Sequence, residues 1–139
     1  MLDTSVLFSA LAFDGNERLV LERVWLRHTL VVTDMIEAEM RAVMRKKLSP
    51  HKCRDAEQLF DALLASRAHL YYKTKNNYAD FLNDALARIA KKDAPILAAG
   101  LQPEVHALVT GDADFLENRN LASLWTRKIF TSREILPLL

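Results

Sequence analysis

The sequence predicts an α/β fold in which helices cover both faces of a parallel β-sheet. Short apolar, β-branched runs alternate along the chain with longer segments whose apolar residues recur at helical spacing, and this alternation is typical of parallel sheets. The length of 139 residues suits one domain with one core. No Gly-, Ser- or Pro-rich linker divides the chain, so we expect a single domain over residues 1–139.

The amino-terminal part of the chain is predicted to begin with a strand. Residues 2–7 are short and apolar around one acid, which favours a strand with Asp3 at or near its end, followed by a helical turn over 8–13. The turn signal Asp14-Gly15-Asn16 then precedes a helix over about 17–28. The residues expected on the inner side of that helix are Leu19, Val20, Val24 and Leu26.

The middle of the chain is predicted to contain a strand over 30–32 and two amphipathic helices. The first helix begins at Thr33 or Asp34, and its apolar stripe consists of Ile36, Met40, Val43 and Met44. Pro50 opens the second helix, over about 51–66, and the residues expected to face inward are Leu59, Phe60, Leu63 and Leu64. The elements expected next are a strand over 68–72, a loop over 73–77 and a helix over 80–92.

The last third of the chain is predicted to begin with a short helix. Asp93-Ala94-Pro95 is typical of a helix start, with an acid at the N-cap and proline in the first turn. We expect this helix to end near Gly100, because glycine is common just after the last helical residue. The elements that complete the chain are strands over about 106–110 and 128–130 and a short helix from Ser132.

A candidate ligand site follows the strand over 106–110. Leu108 and Val109 are typical of the end of a buried strand, and Gly111 permits a sharp turn after it. Asp112 and Asp114 then stand at the edge where ligands of open α/β sheets bind. Taken alone, Asp112 is explained equally well as the N-cap of a short helix over residues 113–117.

Three further acids are expected at the same edge of the sheet, namely Asp3, Glu39 and Asp93. Each also has a simpler explanation, as a surface acid, an exposed helical residue and an N-cap respectively. Asp3, however, interrupts an apolar strand, and burying an unpaired carboxylate is costly. A cluster of carboxylates without cysteine and with few histidines suits Mg²⁺ or Mn²⁺. Such sites are used to hydrolyse phosphate esters.

Charge indicates little about partners overall, since the net charge is +1. Basic residues nevertheless cluster in an acid-free stretch over 40–54 and in a patch over 73–77. Solvated helix faces and contacts with a polyanion both remain open. The candidate cations for contact with the phosphates of a polyanion are Arg41, Arg45, Lys46, Lys73, Lys75 and Arg119.

The single cysteine, Cys53, leaves no possibility of an intrachain disulfide. The amino terminus has no apolar leader, and no run approaches the roughly 20 apolar residues of a membrane span. We therefore expect a cytoplasmic protein without a membrane anchor.

Four motifs occur in the order found in the PIN-domain ribonucleases. They are D-T-S-V-L over 3–7, V-V-T-D-M-I-E-A-E-M over 31–40, K-D-A-P-I-L-A-A over 92–99 and L-V-T-G-D-A-D-F-L over 108–116. The chain resembles this family over nearly its whole length, and in particular the toxins of type II toxin–antitoxin pairs. The resemblance implies a three-layer α/β/α sandwich around a parallel sheet of four to five strands. It also implies Mg²⁺- or Mn²⁺-dependent cleavage of single-stranded RNA, with an antitoxin protein and a homodimer as partners.

The resemblance also implies roles for individual residues. The catalytic acids would be Asp3, Glu39, Asp93 and Asp112. The metal ligands would be Asp3, Asp93 and Asp112, with Asp114 as a further one. Thr4 and Thr110 would orient ligands or water through their hydroxyl groups.

Two positions depart from the family's pattern or leave it ambiguous. Ser5 stands where the family usually has asparagine, and the family's first strand usually begins a few residues earlier. Glu37 competes with Glu39, and Glu39 is preferred because Met40 and then an apolar helical stripe follow it. The two glutamates point about 200° apart on a helix, so only one can face the site.

Two other functions remain open at this point. A PIN fold that has lost catalysis would serve as a binding or scaffold module. The first and last motifs also distantly resemble the haloacid-dehalogenase phosphatases. That family has a second aspartate where Ser5 stands, and it would leave Glu39 and Asp93 without a role.

Overall fold

The computed structural model describes residues 1–139 as a mixed α/β protein with four short strands. The strands are β1 (Leu30–Thr33), β2 (Leu70–Lys73), β3 (Leu108–Val109) and β4 (Ile129–Phe130). β1 pairs with β2 and β3 pairs with β4, in both cases in parallel. The parallel pairing was expected, but the four to five strands do not join into one central sheet.

The amino-terminal segment explains why the two strand pairs remain separate. Leu2 forms only an isolated parallel bridge to Val109. The Asp3 N–H donates to the Val109 carbonyl at 2.9 Å, and the Val109 N–H donates to the Met1 carbonyl at 2.9 Å. No backbone hydrogen bond joins this segment to β1, so a continuous ladder between the two pairs is not formed.

Nine α-helices surround the strands. They are α1 (Thr4–Ala12), α2 (Asn16–Arg27), α3 (Asp34–Lys47), α4 (Pro50–Ala65), α5 (Lys75–Tyr78), α6 (Leu82–Leu86), α7 (Ala94–Leu101), α8 (Ala113–Leu116) and α9 (Ser132–Ile135). Short 3₁₀ segments occupy Ala79–Phe81, Arg119–Leu124 and Leu136–Leu138. The predicted starts of α2, α3, α4, α7 and α9 are correct to within one residue.

The predicted first strand is wrong beyond Leu2, because α1 begins at Thr4. Asp3 caps this helix, and its Oδ1 accepts a hydrogen bond from the Thr4 N–H at 2.6 Å. Val6 and Leu7 are buried on the inner side of α1. A short apolar run fits a strand or a buried helical turn equally well, and here the Asp3 cap favours the helix.

Two other predicted elements differ from the structure. The helix expected over 80–92 is a 3₁₀ turn followed by the five-residue α6, which ends at Leu86. Lys73 ends β2 instead of beginning a loop, and α5 starts two residues later. α7 ends at Leu101, one residue past Gly100, so the predicted end of this helix is close to the observed one. A Cβ at Gly100 would lie 3.3 Å from a side-chain carbon of Leu108. Gly100 therefore permits the close approach of α7 to β3.

Three leucines predicted to face inward are instead exposed. The exposed fractions of Leu19, Leu26 and Leu59 are 45%, 78% and 50%. In α2 the buried positions are Val20, Leu21 and Val24, so the buried stripe is narrower than the apolar pattern suggested.

The core joins both strand pairs and the longer helices. α1 packs against α2, α3 and α4, while α6 packs against α7. This arrangement brings the start of α1, the middle of α3, the start of α7 and the segment after β3 to one side of the molecule. None of the helices combines the length and the apolar character that crossing a membrane requires.

Candidate metal centre

A cleft of about 450 Å³ contains four of the predicted acids. The acids come from four separate parts of the chain: Asp3 precedes α1, Glu39 lies in α3, Asp93 precedes α7 and Asp112 follows β3. One carboxylate oxygen each from Asp93, Asp112 and Asp114 lies within 4.8 Å of the others. The fold thus brings together side chains that are up to 109 residues apart in sequence.

Two threonines hold the acids at the inner end of the cleft. The buried Thr110 hydroxyl donates to Asp3 Oδ2 at 2.7 Å. The Thr4 hydroxyl donates to Glu39 Oε2 at 2.5 Å. Through these bonds the start of α1 is joined both to the end of β3 and to α3, and the orientation of Asp3 and Glu39 is fixed.

Asp112 serves as a helix cap and keeps one oxygen free. Its Oδ1 accepts the Asp114 N–H at 2.9 Å, which caps α8. Its own N–H donates to the Thr110 hydroxyl at 3.1 Å. Asp112 Oδ2 has no hydrogen bond within the protein, so the cap and a ligand role use different oxygens.

Asp93 stands at the predicted N-cap position of α7, but its side chain does not cap the helix and is left available for a ligand. It occupies the position before α7, but its backbone is helical and its side chain makes no capping bond. Asp93 Oδ2 is buried and has no hydrogen-bond partner. An unpartnered buried carboxylate oxygen is unfavourable. The all-oxygen donor set of Asp3, Asp93, Asp112 and Asp114 therefore fits a hard divalent cation.

The electrostatics of the cleft also favour a cation. Burial raises the pKa of Asp3, and the charges of Glu39 and Asp112 raise it further, although hydrogen bonds from Thr110 and Thr4 oppose the shift. Burial likewise raises the pKa of Asp93 against the opposing charge of Lys92, and the neighbouring acids add to the rise. A bound cation would stabilise both groups in their ionised forms.

Only one of the two competing glutamates lies in the cleft. Glu39 lines it, whereas Glu37 is engaged on the opposite face of α3. Glu37 Oε2 accepts the Tyr72 hydroxyl at 2.6 Å, and its Oε1 accepts from Arg41 at 3.2 Å. Desolvation and the bond to Glu37 raise the pKa of Tyr72 to about 12. Glu37 thus joins α3 to β2.

The predicted RNA-contacting cations do not line the cleft. Lys73 is buried and donates to Gln102 and Glu104, so its ammonium group is not accessible to RNA. Arg41 pairs with Asp61, and Arg45 pairs with Glu57, which joins α3 to α4. The remaining candidates are exposed at other positions, namely Lys46, Lys75 and Arg119.

Sequence reasoning missed the two cations that do line the cleft, Lys47 and Lys92. A local signal for each was available. Lys92 directly precedes Asp93 in the third motif. Lys47 follows Glu39 by eight residues, and this spacing places both on one face of a helix.

A mixed α/β fold that gathers several acids around one cleft has the ligand chemistry of metal-dependent hydrolases. The family model of the PIN domain matches residues 1–121, and the chain belongs to the PIN-domain family. PIN domains are generally nucleases that act on RNA and usually use divalent metals. No curated protein matches the chain.

Proposed function

We propose that this protein is a Mg²⁺- or Mn²⁺-dependent endoribonuclease that hydrolyses single-stranded RNA in the acidic cleft. The observation that carries the proposal is the convergence of four acids from separate parts of the chain, one of which has a buried oxygen without a partner. No histidine or cysteine lines the cleft, and this donor set is the one that hard divalent cations prefer.

The proposed roles of the acids follow from their positions in and beside the cleft. Asp93, Asp112 and Asp114 would hold the metal, together with Asp3 at the inner end of the cleft. When bound, the metal would supply an activated water and offset the charge that develops on the phosphate. Glu39 uses Oε2 to accept from Thr4, so its Oε1 is available to orient the attacking water and accept its proton.

The proposed contacts with RNA phosphates begin at the cleft and extend outward. Lys47 and Lys92 line the cleft and would meet the phosphates nearest the cleavage position. The exposed cations outside it would add screened, longer-range attraction. They are Arg45, Lys46, Lys75 and Arg119.

Cleavage of end-labelled RNA by the Asp112→Asn variant tests the proposal. We expect the wild type to cut single-stranded RNA internally with Mn²⁺ or Mg²⁺ and to stop in EDTA, whereas duplex RNA and single-stranded DNA remain intact. Asp112→Asn keeps the capping oxygen but loses a charged ligand, so we expect cleavage to fall at least a hundredfold with an unchanged circular dichroism spectrum. The control is Asp80→Asn, which changes an exposed acid away from the cleft.

Each alternative function has its own signature in the same experiments. A wild-type protein that binds no Mn²⁺ and cuts no RNA would be a scaffold module. A covalent phosphate on Asp3 would instead identify a phosphatase. Full Mn²⁺-dependent activity in Asp112→Asn would refute the assignment of the site.

We further propose that the protein acts in the cytoplasm as the toxin of a type II toxin–antitoxin pair and forms a homodimer. The support is the resemblance of its four motifs to those toxins. Induced expression of the wild type should then arrest growth, and Asp112→Asn should not. Co-expression of a small protein encoded next to it should relieve the arrest, and light scattering should give twice the 15.8 kDa chain mass.

A further inference from the structure

One lysine is paired with the proposed metal ligands. Lys92 Nζ lies 2.9 Å from Asp114 Oδ2 and 3.8 Å from Asp93 Oδ2. The second of these atoms is the buried oxygen that no hydrogen-bond donor reaches. The Lys92 side chain is 71% exposed, so its ammonium group reaches the acids from the solvent side of the cleft.

We propose that Lys92 is an internal counter-ion that a divalent metal must displace from Asp93 and Asp114, so that Lys92 sets the metal concentration at which the site fills. This inference rests on the metal-binding part of the proposed function. It adds a residue that controls how much metal the protein needs before it becomes active.

The argument for competition is geometric and electrostatic. One carboxylate oxygen from each of Asp93, Asp112 and Asp114 lies within 4.8 Å of the other two. A cation among them would lie only a few ångströms from the ammonium group that Asp114 now holds. Two cations at that separation repel each other strongly even where solvent screens them. The ammonium group and the metal therefore compete for Asp93 and Asp114, and the binding of one weakens the binding of the other.

The exposure of Lys92 makes the displacement easy. Exposed ion pairs contribute little to stability, because water solvates the separated charges and the long side chain regains its freedom. Lys92 can therefore swing into solvent without any change in the backbone. Competition of this kind lowers metal affinity by a small factor and leaves the metal able to bind.

Lys91 provides a matched control within the same chain. It precedes Lys92 directly, it is also exposed, and it makes no ion pair. Any general effect of losing one positive charge near the cleft should appear in both positions. An effect of the specific contact with Asp93 and Asp114 should appear only at Lys92.

Calorimetric titration with Mn²⁺ at low salt tests the proposal. We expect Lys92→Gln to bind Mn²⁺ about two- to fivefold more tightly than the wild type, as the loss of an exposed, screened ion pair predicts. Lys91→Gln should stay near the wild-type Kd, and Lys92→Arg should restore it. The difference between Lys92→Gln and the wild type should shrink as NaCl rises.

Thermal melting supplies a second measurement that needs no RNA cleavage. Without metal, Lys92→Gln should melt below Lys91→Gln, because the acids lose their paired cation. With saturating Mn²⁺, its melting temperature should rise by more than that of the wild type.

The outcomes separate this inference from the proposed function. Unchanged or weaker Mn²⁺ binding by folded Lys92→Gln, beside a wild type that binds Mn²⁺ and cuts RNA, would overturn the inference alone. It would mean that Lys92 holds the ligands in place without competing. A wild type that binds no Mn²⁺ would overturn both the inference and the metal dependence.

Discussion

Asp93 shows at the scale of one residue how the cleft is arranged for binding instead of stability. Its Oδ2 is buried without a donor, and neighbouring acids add to the effect of burial on its pKa. A carboxyl group in that position disfavours the ionised folded state unless a cation is present. Its cost to the metal-free protein is therefore expected to depend on pH.

We predict that Asp93→Asn stabilises the metal-free protein at pH 7. Because the folded pKa of Asp93 is raised, the wild type is relatively stable below the ordinary Asp value of about 3.9 and loses that stability as pH rises through the folded pKa. The variant should melt about 3 °C higher at pH 7, a typical shift for about 1 kcal/mol. Thermal melting from pH 4 to pH 7 measures it.

The gain from Asp93→Asn should shrink as pH falls toward 4, because the raised pKa of Asp93 means that a growing fraction of the wild-type carboxyl group is protonated. Saturating Mn²⁺ should reverse the order, because only the wild type keeps the full set of charged ligands. Asp80→Asn should show neither effect. A variant that melts below the wild type at pH 7 without metal would contradict the electrostatic account of the cleft.

The elements of the fold differ in how far local sequence decides them. α3 and α4 were predictable because their caps are local: the Thr33 hydroxyl accepts the Ile36 N–H, and Ser49 with Pro50 begins α4. The segment over 2–7 was not, because its few apolar residues suit either a strand or a helix. The contact of Asp3 with Thr110, which is 107 residues away, could not be inferred from that segment alone.

At the end of β2, one residue of a basic stretch has a structural role in the interior instead of a surface one. Lys73 belongs to a basic stretch, yet it is 2% exposed and donates to Gln102 Oε1 at 2.7 Å. It also pairs with Glu104, whose side chain is 58% exposed. Lys73 thus joins the end of β2 to the segment that follows α7.

We predict that Lys73→Met lowers the free energy of unfolding by about 1–3 kcal/mol, because Gln102 loses its partner in the interior. Glu104 can be solvated again, so the loss should stay below that of a fully buried ion pair. Urea denaturation measures the change. Lys75→Met, at an exposed position two residues later, serves as the control.

The KM for RNA distinguishes the buried Lys73 from Lys47, which lines the cleft. Lys73→Met should leave the KM for RNA within about twofold of the wild type, whereas Lys47→Gln, at the cleft, should raise KM with little effect on stability. A large rise in KM for folded Lys73→Met would return this residue to the RNA-contacting set.

The whole molecule places its candidate site where distant segments meet. The PIN-domain match ends at residue 121, but the chain beyond it supports the site. The Thr110 N–H donates to the Phe130 carbonyl in β4 at 2.9 Å. α9 then packs against α2. The end of β3, which precedes Asp112, is thus held by the carboxyl-terminal part of the chain.

We predict that metal stabilises the whole domain, since the ligands are brought together only in the folded chain. At a free Mn²⁺ concentration about 100 times Kd, the gain should be about 2.7 kcal/mol. It should decrease as pH falls, because protons compete for Asp3 and Asp93, whose pKa values are raised. Thermal melting with Mn²⁺ and then with EDTA measures it.

Asp112→Asn should show a much smaller gain with Mn²⁺, while Asp80→Asn should behave as the wild type. Equal stabilisation of Asp112→Asn and the wild type would place the metal outside the acidic cleft. No stabilisation of either protein would argue against a divalent site in this molecule.

The order of motifs and the chemistry of the acids could be read from the chain, because residue type and local capping are properties of short segments. Packing alone decided which side chains meet. The orientation of α3 in the core places Glu39 in the cleft and Glu37 beside the Tyr72 hydroxyl. The same packing buried Lys73 away from the surface and left Lys92 beside the acids. These outcomes depend on contacts between residues far apart in sequence, which no local pattern contains.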